Sequence, residues 1–243
     1  HLTQTGQTSF QPVTLEEYKQ QAEVVLAHYD NLVAKGMHPA TRVNFNFMSR
    51  GEPLANPVVL ENLVELERVL GQLAASRGLA FKLKISSIVP MEAVNRGLDN
   101  IFHKTKFSQL YYSLYSVDTN FRKRWLPKAA NPDVVMEQIR ELQEENPMFS
   151  VVLHWALIEG ENDQSYQIDH IGEVIRYYGI KARFNLVRYN PYSEAQGKES
   201  SEEVLADRLE QMSFYMRVDG SKMIPKVGFD VQASCGMFVP GLT

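Results

Sequence analysis

Segments with the character of β-strands alternate with helical segments along most of this chain, and the alternation restricts the fold more than any other feature. Five predicted strands are each followed by a helical pattern, and a sixth strand is predicted near the carboxyl end. The predicted strands cover residues 42–48, 79–86, 109–117, 149–158, 181–187 and 227–231. Repeated strand–helix units are typical of parallel sheets, because two parallel strands need a long crossover between them. An open doubly wound sheet and a (β/α) barrel both fit the pattern.

Start and stop signals delimit the predicted helices. Thr14 and Glu17 form a T-x-x-E capping box before a helix that extends to about residue 34, and Gly36 follows as a stop signal. Gly179 closes a later helix in the same way. The other helical patterns are a stretch that begins at residue 91, segments that reach residue 146, and helices over residues 57–77, 165–178 and 200–216. The chain begins with a helix, so the first strand of the first unit is expected to be missing from it.

The composition is that of a globular protein. The chain has 243 residues, of which 44% are hydrophobic and 22% are charged, which suits one sizeable α/β domain without a linker. No apolar run reaches the length of a transmembrane helix. Cys235 is the single cysteine, so an internal disulfide framework and a metal site with several thiolates of this chain are excluded. With no signal-peptide pattern present, we expect a cytoplasmic protein.

The formal net charge of −4 argues against a general nucleic-acid coat protein, because such proteins present a basic face to the phosphates. A local basic track is still compatible with this charge. Arg122, Lys123, Arg124 and Lys128 cluster around Trp125. An RNA-binding track and an ordinary solvated helix face both fit this cluster.

Polar residues follow several of the predicted strands, at the edge where α/β folds carry their chemistry. Gly51 permits a close backbone approach to a ligand, and Glu52 beside it can accept from an ammonium group. An ordinary turn between strand and helix explains this pair as well. Ser86, Ser87 and Ser113 place hydroxyl groups at the ends of the next two strands. Each hydroxyl suits a polar ligand, and each fits a structural role.

Two further residues lie in loops after predicted strands. Pro191 holds Asn190 in an extended conformation, so its amide either faces a ligand or forms an Asx-type turn. Cys235 lies among small residues after the last predicted strand. A lone cysteine is usually a small buried hydrophobe, and a nucleophilic one needs access and a lowered pKa. No histidine is near it in sequence, so a cysteine protease has no direct support.

Seven segments together resemble a known family. In chain order they are LTQTGQTSF…VTLEEYKQQA, GEPLANP, KISSIVP, SLYSVDTNFRKRWLP, EGENDQ, RYNPY and GFDVQASCGM. Each resembles a motif of the radical S-adenosylmethionine (radical-SAM) methyltransferases, which methylate carbon 2 of an adenine in large-subunit ribosomal RNA and in certain transfer RNAs. One such motif is weak evidence, but the full set in order covers essentially the whole chain.

The resemblance implies a partial (β/α)6 radical-SAM barrel over residues 1–243, with S-adenosylmethionine lying across the carboxyl ends of the strands. It implies that Gly51 and Glu52 hold the amino group of the methionine part. The other residues implied to bind this cofactor are Ser86, Ser113, Leu114 and Tyr115 at the ribose and carboxylate, and Asn190 at the adenosyl part.

Two of these assignments stay open. Ser87 remains an alternative to Ser86, because the motif match requires a gap of one residue. Tyr115 stands where the family usually has a histidine, which puts a side-chain role at this position in doubt. Cys235, in the last motif, is implied to carry the methyl group.

The resemblance implies a reaction in two stages. One S-adenosylmethionine methylates the sulfur of Cys235 by displacement, and a second is cleaved by an electron from a 4Fe-4S cluster to a 5′-deoxyadenosyl radical. This radical removes a hydrogen from the S-methyl group, the carbon radical adds to adenine carbon 2, and a second cysteine resolves the crosslink as a disulfide. The implied partners are ribosomal or transfer RNA and an electron donor such as flavodoxin. The protein is expected to be a monomer without a membrane partner.

The sequence departs from the family at its beginning. The C-x3-C-x2-C cluster loop, the resolving cysteine and the small RNA-binding domain of the family have no counterpart here, and His1 aligns directly after the third cluster cysteine. One thiolate cannot hold a four-iron cluster, so we expect this chain alone to leave RNA unmethylated. Two alternatives remain, a divergent relative that modifies another RNA position and a cluster-less barrel that binds a nucleotide. Three cysteines at the family spacing just upstream would exclude the second.

Overall fold

Six parallel strands form one sheet in the computed structural model, which describes residues 11–48, 51–191 and 194–226. The strands are β1 (Arg42–Phe47), β2 (Ala80–Ser87), β3 (Ser108–Tyr112), β4 (Val151–Ala156), β5 (Ala182–Val187) and β6 (Lys222–Met223). They pair in the order in which they occur in the chain. A doubly wound sheet would reverse its strand order at one point, so the sequential order excludes that fold. The sheet curls into a half-barrel, which confirms the predicted partial barrel.

Helices connect the strands and cover one face of the sheet. They are α1 (Leu15–Ala34), α2 (Pro57–Ala75), α3 (Met91–Arg96), α4 (Leu98–Phe102), α5 (Thr119–Trp125), α6 (Pro132–Glu145), α7 (Ser165–Tyr178) and α8 (Glu202–Tyr215). The predicted capping box is confirmed, because Glu17 N donates to Thr14 Oγ1 at 3.2 Å and Thr14 N donates to Glu17 Oε2 at 2.7 Å. Gly179 ends α7 in the left-handed conformation, as predicted. Among the described residues, no helix is both long and apolar enough to cross a membrane.

The third strand is shorter than the predicted segment 109–117. It ends at Tyr112, and the chain then bends away from the sheet through Tyr115, whose φ of 60° is left-handed. The Arg122 guanidinium favours the early end, because it donates to the carbonyls of Leu114 and Ser116 at 2.8 and 3.1 Å and so occupies acceptors that a longer strand would use. A tertiary contact of this kind leaves no trace in the alternation of the sequence.

The sixth strand lies at Lys222–Met223, where no strand was predicted. Two residues are too few to produce a recognisable alternation, and only the register with β5 reveals them, with Lys222 opposite Asn185. The predicted strand over 227–231 lies outside the described residues.

The two faces of the sheet differ sharply in composition, because successive side chains of a strand point to opposite sides. The side chains that face the helices are apolar and buried, and they include Leu83, Ile85, Leu110, Leu153, Phe184 and Leu186. The opposite, concave face is mainly polar and carries Arg42, Lys82, Lys84, Tyr111, His154, Arg183, Asn185 and Lys222. Burial of the apolar set stabilises the half-barrel by about 1.5–3 kcal/mol for each large side chain.

Candidate functional site

The carboxylate of Glu52 joins the loops that follow β1 and β2. Glu52 caps the short 3-10 turn Pro53–Ala55, and its Oε1 accepts from Leu54 N at 3.0 Å. Its Oε2 accepts from Ile88 N at 3.1 Å. A carboxylate offers about four acceptor positions, so this one retains capacity for a further donor such as an ammonium group. Gly51 precedes it with a φ of 114°, a conformation that favours glycine.

The surroundings of Glu52 favour a cationic ligand next to its carboxylate. Burial raises the pKa of this carboxyl above its ordinary value, although hydrogen bonds from Ser87 and from the backbone of Leu54 and Ile88 act in the opposite direction. Burial disfavours the charged form of a carboxyl group, and a nearby positive charge favours it. An ammonium group next to Glu52 would therefore offset the free-energy cost of burying its charge.

The register of β2 separates the two candidate serines. Ser87 is 2% exposed, its Oγ accepts from Val89 N at 2.7 Å, and its hydroxyl also bonds to Glu52. Ser86 lies opposite Tyr111 on the concave face and is partly exposed. The hydroxyl of Ser87 is thus used inside the loop, and Ser86 is the better placed of the two to meet a ligand.

The segment after β3 lies beside the end of β2. Ser113 N donates to Ser87 O at 2.8 Å, which brings Ser113 to the same edge of the sheet. Leu114 is fully buried, so its side chain cannot reach a ligand at the surface of the loop. Tyr115 has the left-handed conformation noted above, and its carbonyl accepts from Asn162 Nδ2 at 3.1 Å. Backbone strain of this kind concentrates at functional sites, where the surrounding contacts hold it in place.

Asn190 follows β5 at the same edge of the sheet. It is 8% exposed, and its Oδ1 has no hydrogen-bond partner among the described residues. A buried amide oxygen that lacks a partner costs about 1–3 kcal/mol. A polar ligand with an amino group would satisfy it, which fits the implied contact with the adenosyl part of S-adenosylmethionine.

The basic cluster around Trp125 is mostly structural. Arg122 is 7% exposed and donates to three backbone carbonyls. Arg124 pairs with Glu161, whose second oxygen accepts from Trp125 Nε1 at 3.1 Å. The two lysines of the cluster keep exposed side chains. These contacts favour the solvated helix face over a continuous basic track.

The predicted methyl carrier, Cys235, lies outside the described residues, so its position relative to this edge is not part of the structure. Within the part of the chain that the structure describes, no group of three or more His, Cys, Asp or Glu residues is arranged to hold a metal ion. The whole sequence contains one cysteine. A 4Fe-4S cluster needs several thiolate ligands, so the residues of this chain do not fit it.

Sequence reasoning missed the polar groups of the concave face. The imidazole of His154 has a buried Nδ1 without a hydrogen-bond partner among the described residues, and Asn185 has an Oδ1 in the same condition. Burial, assisted by the charge of Lys84, lowers the pKa of His154 to about 4, so the ring is neutral at pH 7. The available signal was the alternation K-L-K-I-S in β2, since strands of buried parallel sheets usually read as continuous apolar runs.

Comparison with known proteins identifies relatives among RNA methyltransferases. The chain is 28% identical over 202 residues to the dual-specificity RNA methyltransferase RlmN of Wolinella succinogenes, covering 82% of this chain and 52% of that protein. It is 26% identical over 219 residues to RlmN of Helicobacter hepaticus, covering 88% of this chain and 54% of that protein. The chain thus spans about half the length of the curated relatives that it matches. No protein-family model matches it.

A solved structure shares the fold. The crystal structure of a radical SAM methyltransferase from Sphaerobacter thermophilus superposes with a TM-score of 0.71 at 20% sequence identity, covering 93% of this chain and 61% of that one. The curated relatives agree with the resemblance to RNA methyltransferases that the motifs indicated, and the solved structure agrees with the fold.

Proposed function

We propose that the protein methylates carbon 2 of an adenine in ribosomal RNA, transfer RNA or both, by radical-SAM chemistry with Cys235 as the methyl carrier. The observation that carries the proposal is the convergence of Glu52, Ser86, Ser113 and Asn190 on one edge of the sheet, after four different strands or their loops. The motifs of the sequence assign these same residues to S-adenosylmethionine, and the similar proteins are named RNA methyltransferases.

The residues at this edge suit the polar groups of S-adenosylmethionine. Glu52 offers a partly buried carboxylate to the ammonium group, and Asn190 offers to the amino group of adenine an amide oxygen that has no partner among the described residues. Ser86 and Ser113 provide hydroxyl groups for the ribose and the carboxylate, while Leu114 is limited to backbone contacts. When bound, the cofactor supplies the methyl group and the 5′-deoxyadenosyl radical.

Adenine carbon 2 is electrophilic, so a simple displacement on S-adenosylmethionine cannot methylate it. A thiolate, in contrast, accepts a methyl group readily, which gives Cys235 a role as an intermediate carrier. The cluster ligands are expected on residues that this sequence does not include, and the proposal adds an electron donor such as flavodoxin, a cytoplasmic location and a monomeric state.

The test uses the complete reading frame that contains this chain. The protein is reconstituted anaerobically with iron and sulfide, incubated with S-adenosylmethionine, a reductant and RNA, and the RNA nucleosides are analysed by mass spectrometry. We expect 2-methyladenosine from the native protein and none from the Cys235→Ala variant. A different methylated nucleoside would show that the protein methylates another RNA position instead of adenine carbon 2. Absence of any product, with a Cys235 that never acquires a methyl group, would refute it.

A further inference from the structure

Five cations lie on the concave face of the half-barrel, and we call this surface the basic trough. Its members come from β1, β2, β5 and β6, and they are Arg42, Lys82, Lys84, Arg183 and Lys222. We propose that the basic trough binds the phosphodiester backbone of a single RNA strand, the choice of RNA as the polyanion resting on the function proposed above.

Strand register brings these side chains together. Lys82 and Lys84 lie opposite Asn44 and Asn46, on the same face of the sheet as Arg42. Across the half-barrel, Lys222 lies opposite Asn185, and Arg183 precedes Asn185 by two residues on that face.

The electrostatics of the two lysines agree with this proximity. Burial lowers the pKa of Lys84, and the charges of Arg183, Lys222 and Arg42 lower it further. The pKa of Lys82 is lowered by burial and by Arg42, Arg183 and Lys84. Four of the five cations, Arg42, Lys84, Arg183 and Lys222, therefore act on at least one of the two lysines.

The trough contains no compensating carboxylate among the described residues. No strand position on the concave face is Asp or Glu, and none of the five cations forms an ion pair within the part of the chain that the structure covers. Elsewhere cations do find partners, as in the pairs Arg77–Asp30 and Arg188–Glu199. The protein as a whole is acidic, with a net charge of −4. The separation of charge concentrates positive potential in the trough, where an anion would offset the mutual repulsion.

Other features of the trough favour a nucleic-acid strand over a single small anion. The Lys84 ammonium lies 5.8 Å from the centre of the Tyr111 ring, and Tyr111 meets His154 edge to face at 5.5 Å. Tyr111 is 4% exposed, so its ring supports the Lys84 ammonium and leaves recognition of the strand to the cations. A pocket of about 290 Å³ extends the surface at the amino ends of β2 to β4, and its lining includes Lys82 and Lys106. The positive surface thus extends beyond the five strand cations, through Lys82, to Lys106 in this pocket.

The salt dependence of RNA binding tests this proposal. A fluorescently labelled single-stranded RNA is titrated with the protein at several salt concentrations, and anisotropy gives the affinity. Contact with five phosphates predicts that log K falls with log salt with a slope of about −3.5, since each contact contributes about −0.7 for a single strand. The variant Lys82→Gln/Lys84→Gln/Arg183→Gln is expected to reduce the steepness by about 2 and the affinity on the order of a hundredfold at low salt.

The matched control removes three cations from the outer helices. The variant Lys19→Gln/Arg68→Gln/Arg140→Gln changes the net charge equally, but its side chains lie on α1, α2 and α6. We expect it to keep the native slope. Equal losses in both triple variants, or an unchanged slope in the trough variant, would overturn the proposal. If the trough variant fails to fold, Lys84→Gln alone should reduce the steepness by about 0.7.

Competitors identify the chemistry that the trough recognises. Poly-glutamate that displaces RNA at equal charge concentration would overturn the proposal, as would inorganic phosphate that competes at millimolar concentration. RNA binding is measured without methylation, so the proposed trough and the proposed methyltransferase function can each fail without the other. Trough-dependent binding without 2-methyladenosine would count against the proposed function alone. If the native protein methylates RNA but the trough variant has the same salt dependence of RNA binding as the native protein, the result would count against the trough alone.

Discussion

The two faces of the half-barrel are built from the same six strands but obey different constraints. On the outer face, Leu83, Leu110 and Leu153 are fully buried under the helices. On the concave face, neighbouring cations repel the charge of Lys84, and His154 Nδ1 has no hydrogen-bond partner in the part of the chain that the structure describes. Apolar burial accounts for most of the outer face, where the indole nitrogen of Trp155 also lacks a hydrogen-bond partner among the described residues. The polar concave face opposes folding in part, which indicates that it is retained for a ligand rather than for stability.

The largest expected effect comes from the outer face. Leu153→Ala removes a buried side chain from the central strand β4 and leaves a cavity under the helices. We expect a loss of about 3–4 kcal/mol in the free energy of unfolding. Urea denaturation followed by circular dichroism measures it. The control is Asn46→Ala, at an exposed position of β1 on the concave face, and an equal loss for this variant would erase the distinction between the faces.

The outer face and the helix ends were the parts of the fold that the sequence predicted well. Apolar alternation located five strands, and the capping box at Thr14 and the stop at Gly179 located helix ends. The end of β3 was wrong because it depends on hydrogen bonds from Arg122, a contact made by the folded chain. β6 was missed at Lys222–Met223 because two residues carry no periodicity.

The candidate site was predicted in position but not in detail. Parallel topology alone places Glu52, Ser86 and Asn190 at one edge of the sheet, because each follows or ends a strand. The preference for Ser86 over Ser87 required the register, which shows that the Ser87 hydroxyl serves the loop. That Asn190 Oδ1 has no partner among the described residues could be seen only from its neighbours in space.

A second, somewhat smaller effect is expected from the pH dependence of stability. The pKa of His154 is about 4 in the folded protein, lowered from an ordinary value of about 6.5. Protons therefore bind the unfolded chain more strongly, and stability falls as pH decreases from about 6.5 to about 4. The loss attributable to this ring is on the order of 3 kcal/mol.

Comparison with His154→Phe isolates this contribution. The variant keeps an aromatic ring on the concave face but cannot bind a proton, so its free energy of unfolding should vary less between pH 4 and 6.5. Chemical denaturation across this range measures the difference between the two proteins. Parallel pH profiles would show that His154 is not buried as a neutral ring.

The third effect concerns Glu52, which lies at the carboxyl edge of the sheet, between the outer and the concave face. Glu52→Gln keeps the shape of the side chain and removes the charge that an ammonium group would need. We expect the affinity for S-adenosylmethionine to fall about 10- to 100-fold, because hydrogen bonds to charged groups contribute about 1.5–3 kcal/mol. Isothermal titration calorimetry measures it, and Glu61→Gln, an exposed position on α2, is the control.

Stability separates a binding role for Glu52 from a structural one. The amide keeps one oxygen, so it can accept from only one of Leu54 N and Ile88 N, although it also avoids the cost of a buried charge. We therefore expect a small decrease in the melting temperature together with the loss of binding. A variant that binds S-adenosylmethionine normally but melts earlier would identify Glu52 as a structural link between the two loops.

The smallest expected effect is a gain in stability on the concave face, whereas Leu153→Ala on the outer face is expected to cause a loss. This difference in sign tests the contrast between the two faces most directly. Burial and three neighbouring cations lower the pKa of Lys84, so its charged form is less favourable in the folded chain than in the unfolded one. Lys84→Met keeps the length of the side chain and removes the charge, and we expect a gain of about 0.5–1 kcal/mol in the free energy of unfolding. The gain should shrink as pH rises toward 10.5, where the native lysine loses its proton and with it the repulsion.

Because the same substitution should weaken RNA binding, a variant that is more stable and binds less would show that the concave face gives up stability for recognition. Destabilisation by Lys84→Met at neutral pH would instead mean that the lysine supports the fold, and the two faces would then obey the same constraint.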